Sequence, residues 1–139
     1  MAAMDFIKTL AIAASGLRAQ AGRMRVISEN IANADSTATQ PGADPYRRKV
    51  PTFQSEFDRT LVARLVELGK VRTDNSDFRV KYEPGNPLAD SNGNVKYPNV
   101  NSLIEMTDMR EAQRSYQANI NVITATRRML QRTIDILKA

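Results

Sequence analysis

The sequence holds no cysteine and no histidine in its 139 residues. Without cysteine, neither a disulfide framework nor a thiolate metal site is available. Without histidine, the usual general base and the commonest metal ligand are both missing. Neither a Ser-His-Asp nor a Cys-His mechanism can therefore be written. Carboxylates and lysines remain, but pairs such as Asp90 with Lys96 read as loop and edge charges. No catalytic residue, cofactor or metal ligand is expected, and the chain is not expected to be an enzyme. Long apolar runs are also missing: no stretch approaches the ~20 residues that span a bilayer, so no direct membrane insertion is expected. Residues 7–14, with Ala11-Ile12-Ala13, imitate the core of a signal peptide. The helical pattern continues well past them, which assigns them to the mature protein.

Charge of one sign is never concentrated. The chain carries 20 Lys and Arg against 15 Asp and Glu, a formal net charge of +5. Four basic and two acidic residues fall in 5–34, ten and nine in 35–101, and six and four in 102–139. Nucleic-acid binding favours a dense basic patch. The densest spots, Arg23/Arg25 and Arg127/Arg128/Arg132, read as solvated helix faces, and no nucleic-acid partner is expected.

What is present is helical periodicity at both ends. From Asp5 to about Ala34 there is no proline, and Ala and Leu favour helix. Asp5 serves as N-cap or places charge at the positive helix end. Leu10, Leu17, Met24 and Ile31 recur every seven residues, and Phe6, Ala13, Ile27 and Ala34 follow three positions later in each heptad. Gln20 is the one polar break in this seam. Asn33 suits a left-handed stop. From Ser102 onward the pattern returns with Met109, Tyr116, Ile123, Leu130 and Leu137, joined by Met106, Ile120 and Ile134. Gln113 and Arg127 interrupt it. Ser102 and Glu105 read as a capping box.

The middle holds all six prolines. Phe78, Val80 and Tyr82 alternate with Arg79 and Lys81, the signature of a half-buried strand. Val95-Lys96-Tyr97 echoes it. Glu83-Pro84-Gly85-Asn86 suits a type II turn and Asn92-Gly93 a tight turn. A further extended segment is expected at Tyr46–Phe53. Residues 57–68 read as helix through Phe57, Leu61, Leu65 and Leu68, while 62–71 also fits a strand. The expected architecture is mainly α: an N-terminal helix in 1–35, a small irregular and β-hairpin segment in 36–101, and a C-terminal helix in 102–139. The two helices are expected to pair as a coiled coil.

Each helix carries a second apolar stripe. Ile12, Ala19 and Val26 lie two residues after Leu10, Leu17 and Met24, a rotation of about 200°. Ala118, Val122, Ala125, Met129 and Ile136 stand in the same relation on the last helix. One stripe meets the intrachain partner, and the other is expected to meet a neighbouring subunit. Head-to-tail contacts that do not close give a helical filament. An ordinary bundle, with the second stripes covering the middle segment, is the alternative.

Ser15-Gly16-Leu17-Arg18-Ala19-Gln20 and Val26-Ile27-Ser28-Glu29-Asn30-Ile31-Ala32-Asn33 resemble the N-terminal motif of bacterial flagellar rod and hook axial proteins. Glu29 stands where Asn is commoner. Tyr82-Glu83-Pro84-Gly85-Asn86-Pro87-Leu88-Ala89-Asp90, Gly93, Val95, Tyr97-Pro98-Asn99-Val100, Pro45-Tyr46-Arg47, Glu105-Met106 and Arg114–Asn119 resemble the proximal-rod members of that family. Asn94 stands where a bulky residue is common. The resemblance covers nearly the whole chain. It implies a structural subunit of the basal-body rod, polymerising through its terminal helices into a hollow drive shaft that transmits torque and allows export. It further implies partners among copies of itself, other rod proteins, the export apparatus and MS-ring components. It implies a periplasmic position reached by flagellar type III secretion without a cleaved signal. Leu10, Leu17, Met24 and Ile31 are then expected to meet Ile120, Ile123, Leu130 and Leu137. Asn30 and Asn33 either bond neighbouring backbone in the rod or cap a helix. A soluble helical adaptor or chaperone-like protein that binds one partner helix is the competing class.

Overall fold

The computed structural model describes residues 2–138. Two long helices, α1 (Ala2–Ala32) and α2 (Ser102–Lys138), flank six short strands: β1 (Lys49–Val50), β2 (Phe53–Asp58), β3 (Ala63–Leu68), β4 (Arg72–Thr73), β5 (Arg79–Tyr82) and β6 (Asn94–Tyr97). The strands form three two-stranded antiparallel ladders, β1–β4, β2–β3 and β5–β6.

Both helix ends depart from expectation. Asn33 avoids the left-handed region. Its side-chain Nδ2 and its backbone N both donate to Glu29 O, at 2.8 and 3.1 Å, and Ser36 N donates to Asn33 O at 3.2 Å. The side-chain amide thus adds a second bond to a carbonyl that the helix backbone already serves, at the end of the helix. At α2 the cap is Asn101 instead of Ser102. Asn101 Oδ1 accepts from Leu103 N at 3.0 Å and Ile104 N at 3.5 Å, the N-cap arrangement. Glu105 does not close a capping box because its carboxylate turns into the interior, where it is 1 % exposed.

Packing does not follow the three sequence stretches. Two compact units form, and each draws on all three. The first takes α1 as far as Met24, Thr52–Lys70 and α2 from Glu111. Within it the helices run antiparallel. Arg23 reaches Glu111 at 3.9 Å, Gly16 lies under Asn119, and Asp5, Phe6 and Thr9 share a groove with Thr126 and Met129. A Cβ on Gly16 would fall 2.9 Å from Asn119 Nδ2, so glycine sets the close approach.

The β2–β3 hairpin rests on another face of α1. Val66 N donates to Ser15 Oγ at 3.2 Å, and Leu68 lies over Gly22, where a Cβ would come within 2.8 Å of its tip. Ser15, Ala19 and Gly22 follow one another at spacings of four and three, which puts small residues on a single face. The chain reverses because Asp58 Oδ1 accepts from Thr60 N at 2.8 Å and Leu61 N at 3.1 Å, an Asx turn. Val62 follows with φ 50°. The helical reading of 57–68 is therefore wrong: this turn splits the segment, and cross-strand pairing takes both halves.

The second unit comprises Arg25–Pro51 and Val71–Arg110. Its apolar core includes Val26, Ile27, Ala34, Val95 and Val100. β5 does not bury the face expected of it, for Val80 is 58 % and Tyr82 72 % exposed. Burial falls on its partner strand, through Val95. Phe78 is instead covered by the Arg47 guanidinium, 4.1 Å from the ring centroid. The turn at Glu83–Asn86 closes with Asn86 N donating to Glu83 O at 3.0 Å. Gly85 does not take the positive φ that type II requires, so the type II assignment fails. The left-handed residue is Gly93, at φ +77°, whose N donates to Asp90 O at 3.0 Å.

Candidate functional site: an assembly surface

In the first unit the expected seam residues Leu10, Leu17, Met24, Tyr116, Ile120, Ile123 and Leu130 are half-buried. The deepest burial lies elsewhere. Ala112 is 0 % and Thr126 2 % exposed, and Asn119, midway between them at heptad spacing, meets Gly16. The α1-facing line of α2 is thus made of small and polar side chains, which the leucines and isoleucines flank. Thr126 fits there because its hydroxyl bonds Val122 O at 2.8 Å. No greasy signal in the sequence marks this line.

Two seam assignments fail: Ile134 is 36 % and Leu137 81 % exposed. Phe6 already shares its groove with Met129, so α2 residues past about 131 have no α1 residue opposite them among those described. The outward stripe also divides. On α2, Ala118, Val122, Ala125, Met129 and Ile136 are all exposed. On α1, Ile12 is exposed, but Ala19 is 2 % and Val26 4 % exposed. Ala19 belongs to the small-residue face under the hairpin, and Val26 is enclosed within the second unit beside Lys49 and Val71. Neither is open to a neighbouring subunit. The chain's own middle segment covers Ala19 and Val26 of the α1 ridge and leaves Ile12 and the α2 ridge bare.

In the second unit Ile31 is half-buried, and the motif asparagines gather a polar core. Asn30 is fully buried and uses all of its hydrogen-bonding capacity. Its Nδ2 donates to Lys49 O at 2.8 Å and Glu105 Oε2 at 3.1 Å. Its Oδ1 accepts from Tyr46 OH at 2.8 Å and Lys49 N at 2.9 Å. Asn30 therefore neither caps a helix nor waits for a neighbour, whereas Asn33 serves its own helix end. Arg48 Nε donates to Glu105 Oε1 at 2.5 Å, and its other nitrogens lie 3.7 Å from Asp74 and 3.8 Å from Asp108. Asn99 Oδ1 accepts from Arg48 N at 2.8 Å, and its Nδ2 donates to Asp74 O and Ser76. Lys49 pairs with Glu29 at the rim. Burial, then the charges of Glu29 and Glu105, push the Tyr46 phenol up to about 12.

The remaining motif residues shape one loop. Asn86 Nδ2 donates to Glu83 Oε2 at 3.1 Å, and Asn86 Oδ1 accepts from Leu88 N at 3.0 Å. Pro84 and Gly85 form the exposed crest of the turn, followed by exposed Pro87. Asp90 Oδ1 accepts from Asn92 N and Asn94 N, at 2.8 and 2.9 Å. Gly93 is hemmed in by Tyr82 and Pro84. Buried Pro98 offers its carbonyl to Arg79 Nε at 3.0 Å, while Arg79 also donates to Ala34 O. None of this arrangement presents a nucleophile beside a base. It presents an internally satisfied polar core and, on α2, an apolar ridge.

Residues 10–38 match the family model described as flagella basal body rod protein, and residues 91–136 match that of the flagellar basal body rod FlgEFG protein C-terminal. The chain is 59% identical over 128 residues to the flagellar basal-body rod protein FlgC of Agrobacterium fabrum (strain C58), covering 92% of each chain. It is 41% identical over 133 residues to FlgC of Salmonella typhimurium (strain LT2), covering 96% of this chain and 98% of that one. It is 38% identical over 150 aligned positions to FlgC of Bacillus subtilis (strain 168), covering 97% and 100%. The chain belongs to the FlgC family of flagellar basal-body rod proteins, structural subunits of the rod and not enzymes.

Proposed function

We propose that this subunit polymerises through its terminal helices, paired as a coiled coil, into a hollow rod that transmits torque and leaves a channel for export. The observation that carries the reading is the bare ridge Ala118, Val122, Ala125, Met129 and Ile136 on α2. Covering one side chain such as Val122 or Met129 is worth about 1.5–3 kcal/mol, so several in register hold a subunit contact. The half-buried seam Leu10, Leu17, Met24, Tyr116, Ile120, Ile123 and Leu130 supports coiled-coil pairing in the first unit.

On this reading the partners are copies of the chain, other rod proteins, the export apparatus and MS-ring components. The site of assembly is periplasmic, reached by flagellar type III secretion without a cleaved signal. A chain free of cysteine travels unfolded without thiol chemistry in an oxidising compartment, which supports that route. Val122→Asp and Met129→Asp are expected to leave export intact and to block rod assembly and motility. Normal swimming by either variant refutes the α2 ridge as a subunit contact. A one-to-one complex with a single partner in analytical ultracentrifugation, with no polymer, favours the adaptor reading instead.

A further inference from the structure

Two charge groups in the first unit find no ion-pair partner among the described residues. Cross-strand register pairs Gln54 with Glu67, Glu56 with Leu65 and Asp58 with Ala63. One face of the hairpin therefore carries Glu56, Asp58 and Glu67, while Phe53, Phe57 and Arg64 point to the other. Asp58 is spent on its Asx turn. Glu56 and Glu67 crowd each other: the charge of Glu67, and then a hydrogen bond shared with it, push the Glu56 carboxyl up. Among the described residues neither has a lysine or arginine within ion-pair distance. The second group is on α2, where Arg127, Arg128 and Arg132 are exposed and likewise find no carboxylate partner among the described residues.

Each charged group lies near apolar surface, in a different geometry on the hairpin and on the helix. β3 spends an outer-edge amide on Ser15, while among the described residues β2 has no strand on its far side. That free edge offers Phe53 at 44 % and Phe57 at 52 % exposure on one face and Glu56 on the other, with Glu67 one strand behind on β3. On α2, Arg132 and Arg128 lie about 60° and 100° round the helix from Met129, both in the same direction. The bare ridge is thus flanked on one side by arginine. The two apolar pairs have comparable spans, differing by about 3 Å. Phe53 and Phe57 stand about 13 Å apart along a strand, and Val122 and Met129 about 10 Å apart along a helix.

We propose that the free β2 edge of one copy docks on the α2 ridge of a second copy, setting Phe53 and Phe57 on Val122 and Met129 and bringing Glu56 and Glu67 to Arg128 and Arg132. The occupant is a second copy because both halves of the contact, complementary in charge, lie on this chain, and among the described residues neither charged group pairs within it. The inference rests on the reading of α2 as a subunit contact and names what that contact meets.

The test is a charge exchange. Glu56→Arg with Glu67→Arg is expected to abolish rod assembly and motility, as is Arg128→Glu with Arg132→Glu. Combining all four changes in one chain is expected to restore assembly. All of these positions are exposed, and circular dichroism of each purified variant checks that the helices persist. The absence of cysteine permits a second measurement. Two differently tagged copies, one Glu56→Cys and the other Arg128→Cys, are expected to give a mixed disulfide dimer in purified basal bodies treated with a mild oxidant that takes up the two electrons. Failure of the four-fold exchange to restore assembly overturns the inference. So does cross-linking of Glu56→Cys to another rod protein in place of the second copy. If Val122→Asp still blocks assembly in either case, only the named occupant is wrong. If Val122→Asp assembles normally, the underlying reading has failed instead.

Discussion

Replacing Asn30 with alanine tests the polar core most directly, because the side chain is fully buried and makes four hydrogen bonds. The change leaves Lys49 N and O, the Tyr46 hydroxyl and one Glu105 oxygen without a partner, inside a cavity the size of a carboxamide. A buried polar group left unpaired costs about 1–3 kcal/mol. With water entering the cavity to serve some of the four, a loss of about 3–5 kcal/mol is expected, a large share of the ~5–15 kcal/mol that holds a domain folded. At a urea slope of about 2 kcal/mol/M, the unfolding midpoint moves down by about 2 M. Asn30→Asp separates hydrogen bonding from packing. It keeps the volume and the acceptors but sets a carboxylate where Nδ2 now lies 3.1 Å from Glu105 Oε2. Repulsion makes it at least as damaging as alanine at neutral pH, and acid relieves it by protonating one of the pair. A loss below about 1 kcal/mol for Asn30→Ala, or an Asn30→Asp deficit that ignores pH, refutes the account of a saturated buried amide.

Gly93→Ala is expected to destabilise the chain by about 1–2 kcal/mol for its left-handed φ, and by more than Gly42→Ala. Both glycines have positive φ, but an added Cβ at Gly93 falls 2.9 Å from the Tyr82 ring whereas Gly42 has open space; equal urea midpoints for the two variants contradict this. Tyr46 is held protonated, so the folded state keeps its proton from pH 10 up to about 12 while the unfolded chain has lost it. That stability is whole below pH 10 and disappears as pH rises through 12, and a phenolate absorbance titration should show one tyrosine ionising last, and not in Tyr46→Phe. Asp74 is held low by the Ser76 amide and hydroxyl ahead of Arg48, and Glu83 by Asn86 ahead of Tyr97. Their contributions are present above the ordinary carboxylate range and lost as pH falls through the lowered values, which acid unfolding of Asn86→Ala, with its Glu83 share removed, should reveal as a shallower slope. In the isolated subunit, residues 131–138 of α2 are exposed throughout and should exchange amide hydrogens rapidly; full protection there at low concentration contradicts the absence of an α1 partner.

Helix existence and the β5–β6 ladder were legible because they rest on local signals. Leucines at seven-residue spacing, proline confined to the middle and Asn92-Gly93 all act within a few residues. What was not legible depends on packing partners. Ala19 and Val26 have the spacing of an outward stripe, and nothing near them in sequence reveals that β2–β3 covers the Ser15–Ala19–Gly22 face or that Lys49 and Val71 enclose Val26. Three small residues in a row on one helix face were the available clue, since a stripe without bulk is where another backbone can approach. The same holds for Ala112, Asn119 and Thr126, which a search for large apolar residues passes over. Val80 and Tyr82 mislead in the opposite sense. Alternation shows that β5 has an apolar face but not that this face meets a core.

The division of labour between the units follows from these two kinds of contact. An apolar seam repeated every seven residues is nearly degenerate, because a shift of one heptad brings leucine to leucine again. Buried polar groups are not degenerate. Asn30 is satisfied only where Lys49, Tyr46 and Glu105 converge, and Glu105 only where Arg48 arrives with it. A buried polar pair is a weak source of net stability but a strong penalty on any mismatched arrangement. Where the sequence places Asn in the first helix and Glu at the start of the last, the polar core therefore discriminates between pairings that the leucines alone would accept. The α2 ridge is left free to be judged on a different criterion, its fit to a neighbouring molecule.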